Sequence, residues 1–462
     1  MTLPCFPRVI ICFVSFLVIW LTAAGAADAA VVPGNVRVAL AVQTNTLGFK
    51  TGGDYRLVDQ STGKEIAKLE QGEVWQVLVE DGQILLQGRK GRLGPFAGPV
   101  AACEQNFRIQ IMAGAGEAVE SSTDQIFVLN GEGSSISLNA VTKPYATSPQ
   151  KKAALAADGE LNLVSIMNGT TALRYRGNLE FRVENGKLAA VNELNIEDYL
   201  RGVVPAEIPP SWPMEALKAQ AVAARNYALQ RVETTRGRSF NLLNNQYNQV
   251  YRGYDAESPA TNQAVDETGG MVMTSQGSLI TAFFHSSSGG YTENCEDVWI
   301  EQLPYIKGKV DPYDKNSSHY NWQVDYTVQQ LTSKLQAAGY NIFKLTDIEE
   351  LARTASGARI EKIAVSGQGA TGEPIRVVIS NADKVRIALG LKSSLFTLEK
   401  VCNQKGGLEG VKIRGCGFGH GLGMSQWGAY GMAEQGYNYQ DILKYYYSGV
   451  SIAGDYGRTS FR

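Results

Sequence analysis

Glu207 is a carboxyl in a setting suited to proton transfer. It lies in Pro205-Ala206-Glu207-Ile208-Pro209-Pro210, where flanking prolines disfavour a continuous helix and predict a stiff turn. The neighbours Ala206 and Ile208 solvate a charge poorly, which raises a carboxyl's pKa toward that of a general acid. A glutamate that only receives N–H groups from a nearby helix end would share this setting, so the residues alone leave both readings open. His285 opens Ser286-Ser287-Ser288-Gly289-Gly290, a loop rich in hydroxyls and backbone N–H groups. Through Ser287 and its neighbours such a loop could bind the hydroxyl and acetamido groups of a sugar; the alternative is a tight turn with the histidine bonded to backbone. His420 lies in Gly417-Phe418-Gly419-His420-Gly421-Leu422-Gly423, where glycines let the backbone approach a ligand. Gln426 and Trp427 follow at a predicted helix start, placed for hydrogen bonding and stacking, although a glycine-rich connector packed under that helix is also compatible.

These residues need elements to position them. Downstream of Glu207, Ser211 offers a helix cap, with Pro213 and Glu215 in the first turn. From Met214 to Leu229 the chain lacks Gly and Pro and carries alanine at 216, 219, 221, 223, 224 and 228. That composition predicts a helix apolar on every side and therefore buried. Lys218, Gln220 and Arg225 interrupt it, and a buried cation needs a partner or a ligand. Lys218, Arg225 and Arg201 are read as gripping a ligand or orienting the loop. An ion pair, for instance with Asp198, is the alternative for Arg225 and Arg201.

At 462 residues the chain has room for two or three cores, and 44% hydrophobic with 19% charged residues is a globular composition. A formal net charge of −2 argues against nucleic acid as a partner. Residues 9–24 form an apolar run behind one arginine and before small residues. This is the pattern of a signal peptide over residues 1–30, or of an uncleaved anchor. Either places the remainder outside the cytoplasm, with membrane contact only if the segment is retained. Beyond that segment lie Cys103, Cys295, Cys402 and Cys416, and an even set in an export compartment invites disulfides. Cys402 and Cys416 enclose a short glycine-rich stretch and form the expected pair; free thiols are the alternative. His285 and Cys295 match no common zinc spacing, and the glycines around His420 lack a dinucleotide-binding context, so no metal or cofactor is expected.

Along the chain, residues 36–42, 74–79, 84–86 and 126–129 read as strands, with turns at 51–54, 80–82 and 130–133. A β-rich accessory domain is expected over 31–146, with a boundary at 142–149. Further strands at 161–166, 172–175, 178–183 and 188–191 lead into the central helix. The aromatic and polar run 247–254 suits a cleft lining. A short helix is predicted over 261–268, a hairpin around Gln276-Gly277, a capping box at Thr327 and Gln330, and strands at 360–365 and 375–379. Helices at 424–435 and 439–447 close a second, larger domain over 150–455. The class is α+β.

The run NIEDYLRGVVPAEIPPSWPMEALKAQAVAARNYALQ (Asn195 to Gln230) resembles the signature of the stage II sporulation protein D (SpoIID/LytB) family, with Asn226 where threonine is usual. The blocks His285 to Asn294 and Gly417 to Ala429 match too, in the same order, and the resemblance extends over about Ala172 to Gly449. It implies a SpoIID-like mixed α/β catalytic domain around the alanine-rich helix, with Glu207 as acid and base. The implied activity is lytic transglycosylation of peptidoglycan glycan strands, with a 1,6-anhydro product and no cofactor. Arg201, Lys218, Gln220, Arg225, His285, Ser287, His420 and Gln426 are the expected substrate-binding residues. The same resemblance covers amidase enhancers and wall-binding modules, so other wall hydrolases, such as an amidase, are expected partners.

Overall fold

The computed structural model describes residues 34–105 and 161–454, except 170, 246 and 300, together with the short strands Ile109–Met112, Ala118–Ser122, Phe127–Leu129 and Ser135–Ser137. The apolar N-terminal segment, the turn at 130–133 and the expected boundary at 142–149 lie outside the described residues. Among those described, no helix is long and apolar enough to cross a membrane.

Two large sheets organise the first half of the α+β fold. In one, the spatial order is Leu242–Leu243, Asn35–Thr44, Lys187–Asn195, Asn178–Glu184, Val100–Glu104, Tyr55–Asp59, Lys64–Leu69. In the other it is Thr171–Tyr175, Leu163–Asn168, Thr46–Gly52, Val74–Glu80, Gln83–Gly88, Gly91–Phe96. Alternation along each strand sends one set of side chains inward, as with Val36, Val38 and Leu40, or Leu47 and Phe49.

This arrangement corrects the expected division into 31–146 and 150–455. Val38 lies opposite Asn192, and Phe49 opposite Ile166, so strands from both sides of the boundary share both sheets and one core. Turn clusters and composition mark where a chain bends, whereas strand partners are chosen by long-range packing. The chain leaves the sheets at Gln105 and returns at Asn162, and these ends are joined: Asn162 Nδ2 donates to the Gln105 carbonyl at 3.0 Å. Asn162 Oδ1 accepts from the Asp54 N–H, also at 3.0 Å.

Among the described residues eight α-helices follow: α1 (Ile196–Glu207), α2 (Met214–Thr234), α3 (Pro259–Glu267), α4 (Cys295–Val298), α5 (Val328–Ala337), α6 (Ala382–Ala388), α7 (Gln426–Glu434) and α8 (Tyr439–Tyr446). Asn195 caps α1 by accepting from the Glu197 N–H. Ser211 is exposed and caps nothing; Pro213 is the first residue flanking α2. The alanine helix α2 is buried on two sides. Leu217, Ala221, Ala224 and Ala228 pack into the core of the sheets, and Ala219, Val222 and Ala223 into a second core with α7 and α8. Small side chains on every face are what let two cores close on one helix.

A third core occupies 322–415. There Trp322–Thr327, Phe396–Cys402 and Leu408–Gly415 form one sheet, and Lys344–Arg353, Ile360–Gln368 and Pro374–Ser380 another. The predicted capping box is present at the start of α5: Gln330 N–H donates to Thr327 Oγ1 at 3.2 Å, and Thr327 N–H to Gln330 Oε1 at 3.0 Å. The expected disulfide is not formed. Cys402 pairs with Leu408 at the hairpin tip, and Cys416 follows Gly415, which pairs with Phe396. Six strand residues, about 20 Å, separate the two ends.

Gly431 lies inside α7, where alanine ordinarily improves a helix by about 1 kcal/mol. Here a Cβ would stand 2.0 Å from the Tyr313 carbonyl oxygen. Gly431→Ala is expected to destabilise the fold by about 1–3 kcal/mol, read as a lowered melting temperature.

Candidate active site

Glu207 is the last residue of α1 rather than part of a proline-bounded turn. Pro205 lies inside the final helical turn and removes one N–H···O=C bond there, while Pro209 stops the chain beyond it. Burial of Val203, Val204 and Ile208 in the main core holds that turn helical. Glu207 is half-buried.

Burial is the largest influence on that carboxyl and raises its pKa above the ordinary glutamate value. The Val250 N–H, donating to Oε1 at 3.1 Å, the facing Gln426 amide and the charge of exposed Arg252 pull it partway back. The run 247–254, expected as a cleft lining, supplies two of these groups. It is held by Gln249, whose Oε1 accepts from Tyr199 Oη at 3.1 Å and whose Nε2 donates to the Ala224 carbonyl on α2. Asn248 Nδ2 donates to Tyr227 Oη at 3.1 Å. Burial raises the Tyr199 hydroxyl well above its ordinary pKa, and the Glu207 charge adds to that.

The other two blocks reach the same place. Strand Phe284–His285 pairs in parallel with Met424–Ser425, so His285 is beside Ser425 and one residue from Gln426. Gln426 Nε2 approaches Gln220 Oε1 at 3.4 Å, joining α7 to fully buried Gln220 on α2. The Gln220 Nε2 has no partner among the described residues.

The rings of His285 and His420 lie 5.5 Å apart. Burial holds His285 well below the ordinary histidine pKa and lowers His420 to about 4, so both are neutral at neutral pH. His285 Nδ1 is 3.1 Å from the Leu422 carbonyl and therefore carries the proton, leaving Nε2 as an acceptor with no partner among the described residues. His420 is the other tautomer: its Nδ1 accepts from the Leu422 N–H at 3.0 Å.

Several expected substrate contacts are taken up within the chain. Arg201 pairs with Asp266 at 2.6 Å and joins α1 to α3. Lys218 bridges Glu215 at 2.9 Å and Glu267 at 2.8 Å. Arg225 is buried and forms a two-point pair with Glu197, at 2.8 and 2.6 Å, rather than with Asp198. Ser287 Oγ donates to Asp314 Oδ2 at 2.8 Å, as do Ser288 Oγ at 3.0 Å and the Gly289 N–H at 2.9 Å. The polar groups of this loop are thus occupied by an aspartate that no local motif announces. Beside it, burial and the Asp314 charge raise Asp311 to about 6. Arg359, fully buried just before the strand Ile360–Gln368, donates to the Ser288 and Tyr291 carbonyls at 3.2 and 3.1 Å and holds the loop.

The site therefore comprises the raised carboxyl of Glu207, two glutamines, a neutral histidine pair and a clamping loop with its own raised carboxyl at Asp311. A sequence model described as "Stage II sporulation protein" matches residues 184–275, and one described as a domain of unknown function (DUF8618) matches 293–423. Stage II sporulation protein D of Bacillus subtilis (strain 168) is 32% identical over 57% of this chain and 76% of its own length. An uncharacterised protein of Brachyspira hyodysenteriae is 36% identical over 62% of this chain and 74% of its own. The amidase enhancer of Bacillus subtilis (strain 168) is 33% identical over 55% of this chain and 40% of its own. The chain belongs to the stage II sporulation protein D family.

Proposed function

We propose that the chain is a lytic transglycosylase that cuts the bond between N-acetylmuramic acid and N-acetylglucosamine in peptidoglycan. The observation that carries this is the carboxyl of Glu207, buried enough to hold a proton and oriented by Val250 and Gln426. Protonated Glu207 donates to the glycosidic oxygen as the C1–O bond breaks. The resulting carboxylate then takes the proton of the muramic acid C6 hydroxyl while that oxygen bonds C1, giving the 1,6-anhydro ring without water. A hydrolase built on two carboxylates would need a second one about 5–9 Å away. The Arg252 cation favours the carboxylate form that Glu207 must reach after giving up its proton.

The activity belongs outside the cytoplasm, where the substrate is, with residues 1–30 as signal peptide or 9–24 as anchor. Family membership supports a wall-related role, and the relative named amidase enhancer supports a second reading, a module that assists a wall amidase without cutting glycan itself.

Purified chain incubated with peptidoglycan glycan strands, followed by mass spectrometry, is expected to yield 1,6-anhydro ends. Their rate falls about tenfold per pH unit above the raised Glu207 pKa, because the acid must begin protonated. Reducing ends formed by water would overturn the mechanism, and intact glycan with an accelerated amidase would favour the second reading.

A further inference from the structure

Three aromatic rings gather on the segments that follow Glu207 and Gln426, and two of them serve no core. Trp212 follows Glu207 across the exposed turn Pro209-Pro210-Ser211, and Trp427 is the residue after Gln426, whose amide faces the Glu207 carboxyl. Tyr430 lies one helical turn further along α7. Ring centroids are 4.9 Å apart for Trp212 and Trp427, 5.2 Å for Trp212 and Tyr430, and 5.4 Å for Trp427 and Tyr430. All three side chains are partly exposed. Trp212 leans on the main core, but Trp427 and Tyr430 belong to none of the three hydrophobic clusters.

Large rings ordinarily contribute through burial, and a buried Tyr or Trp finds a partner for its polar end. Here the two indole N–H groups and the Tyr430 hydroxyl have no partner among the described residues, and none is sealed from water. An apolar surface with free donors at its edge suits a ligand that is apolar on one face and polar around the rim. A pyranose ring has that character, with axial C–H bonds on its face and hydroxyl or acetamido groups at its edge. Continuity with Gln426 and Glu207 makes the platform an extension of the same site.

We propose that Trp212, Trp427 and Tyr430 form a binding platform for an N-acetylated amino sugar, seating the glycan residue that flanks the bond presented to Glu207. The assignment rests on the glycan-cutting function proposed above, but binding can be measured apart from cutting. The probe is a soluble N-acetylglucosamine oligomer titrated into the full chain carrying Glu207→Gln, followed by calorimetry and tryptophan emission. The parent is expected to bind with a change in emission. Adding Trp427→Ala weakens binding at least about tenfold, or about 1.4 kcal/mol, while Trp427→Phe stays within about threefold because it keeps a ring. If Trp427→Ala melts early, Tyr430→Ala decides instead. A parent that does not bind, or equal affinity for the Ala and Phe variants, overturns the platform. Ring-dependent binding in a chain that never forms 1,6-anhydro ends would overturn the catalytic function and leave the platform standing.

Discussion

Glu207→Gln lowers the formation of 1,6-anhydro ends by about 10³-fold, within the range of a lost general acid and base. Glutamine keeps the size and can still accept from the Val250 N–H, so the loop 249–252 stays in place. What it lacks is a proton to give and a charge with which to take one back. Stability should move the other way. Because burial raises the Glu207 pKa, the folded chain holds that proton more tightly than the unfolded chain. The stabilisation is complete below the unfolded carboxyl's pKa and disappears as pH rises through the folded value. Glutamine has no charge to desolvate, so the variant is expected to melt no earlier than the parent at neutral pH. Loss of product together with an early melt would point to a structural glutamate instead.

Arg225→Met produces the largest loss of stability, about 3–5 kcal/mol by denaturant titration. The Arg225 and Glu197 side chains are 1% and 6% exposed, and removing the guanidinium strands the carboxylate in the interior. Arg225 also donates to the Met271 carbonyl at 3.2 Å, and Glu197 accepts from the Gly270 N–H at 3.2 Å. The pair thus ties α1 and α2 to the turn after α3. Replacing both partners, as Arg225→Met with Glu197→Leu, is expected to recover part of the loss, since no unpaired charge then remains buried. Lysine at 225 recovers little, because it cannot reproduce the two-point contact.

Helices were the most legible part of this chain. Alanine on every side of α2 announces burial whatever surrounds it, and the Thr327 and Gln330 capping box is complete within four residues. The sheets were not legible in the same way. Asn35–Thr44 lies between Lys187–Asn195 and Leu242–Leu243, partners far along the chain, and alternation shows that a strand exists without saying whom it pairs. At the site, Glu207, Gln220, Gln426, His285 and His420 could be singled out from their neighbours. The partners that consume Arg201, Lys218, Arg225 and Ser287 could not, because Asp266, Glu267, Glu197 and Asp314 have no distinguishing context. Pro205 misled for a physical reason: local strain argued for a turn, and tertiary burial of Val203, Val204 and Ile208 outweighed it.

The bonded ends at Gln105 and Asn162 carry an evolutionary consequence. Entry and exit of the intervening stretch meet at one neck, so its length is invisible to the register of either sheet. Closing a longer loop costs only about 0.6 kcal/mol per doubling. That neck is therefore a port through which relatives can gain, trim or exchange sequence while the chemistry beyond α1 is left untouched.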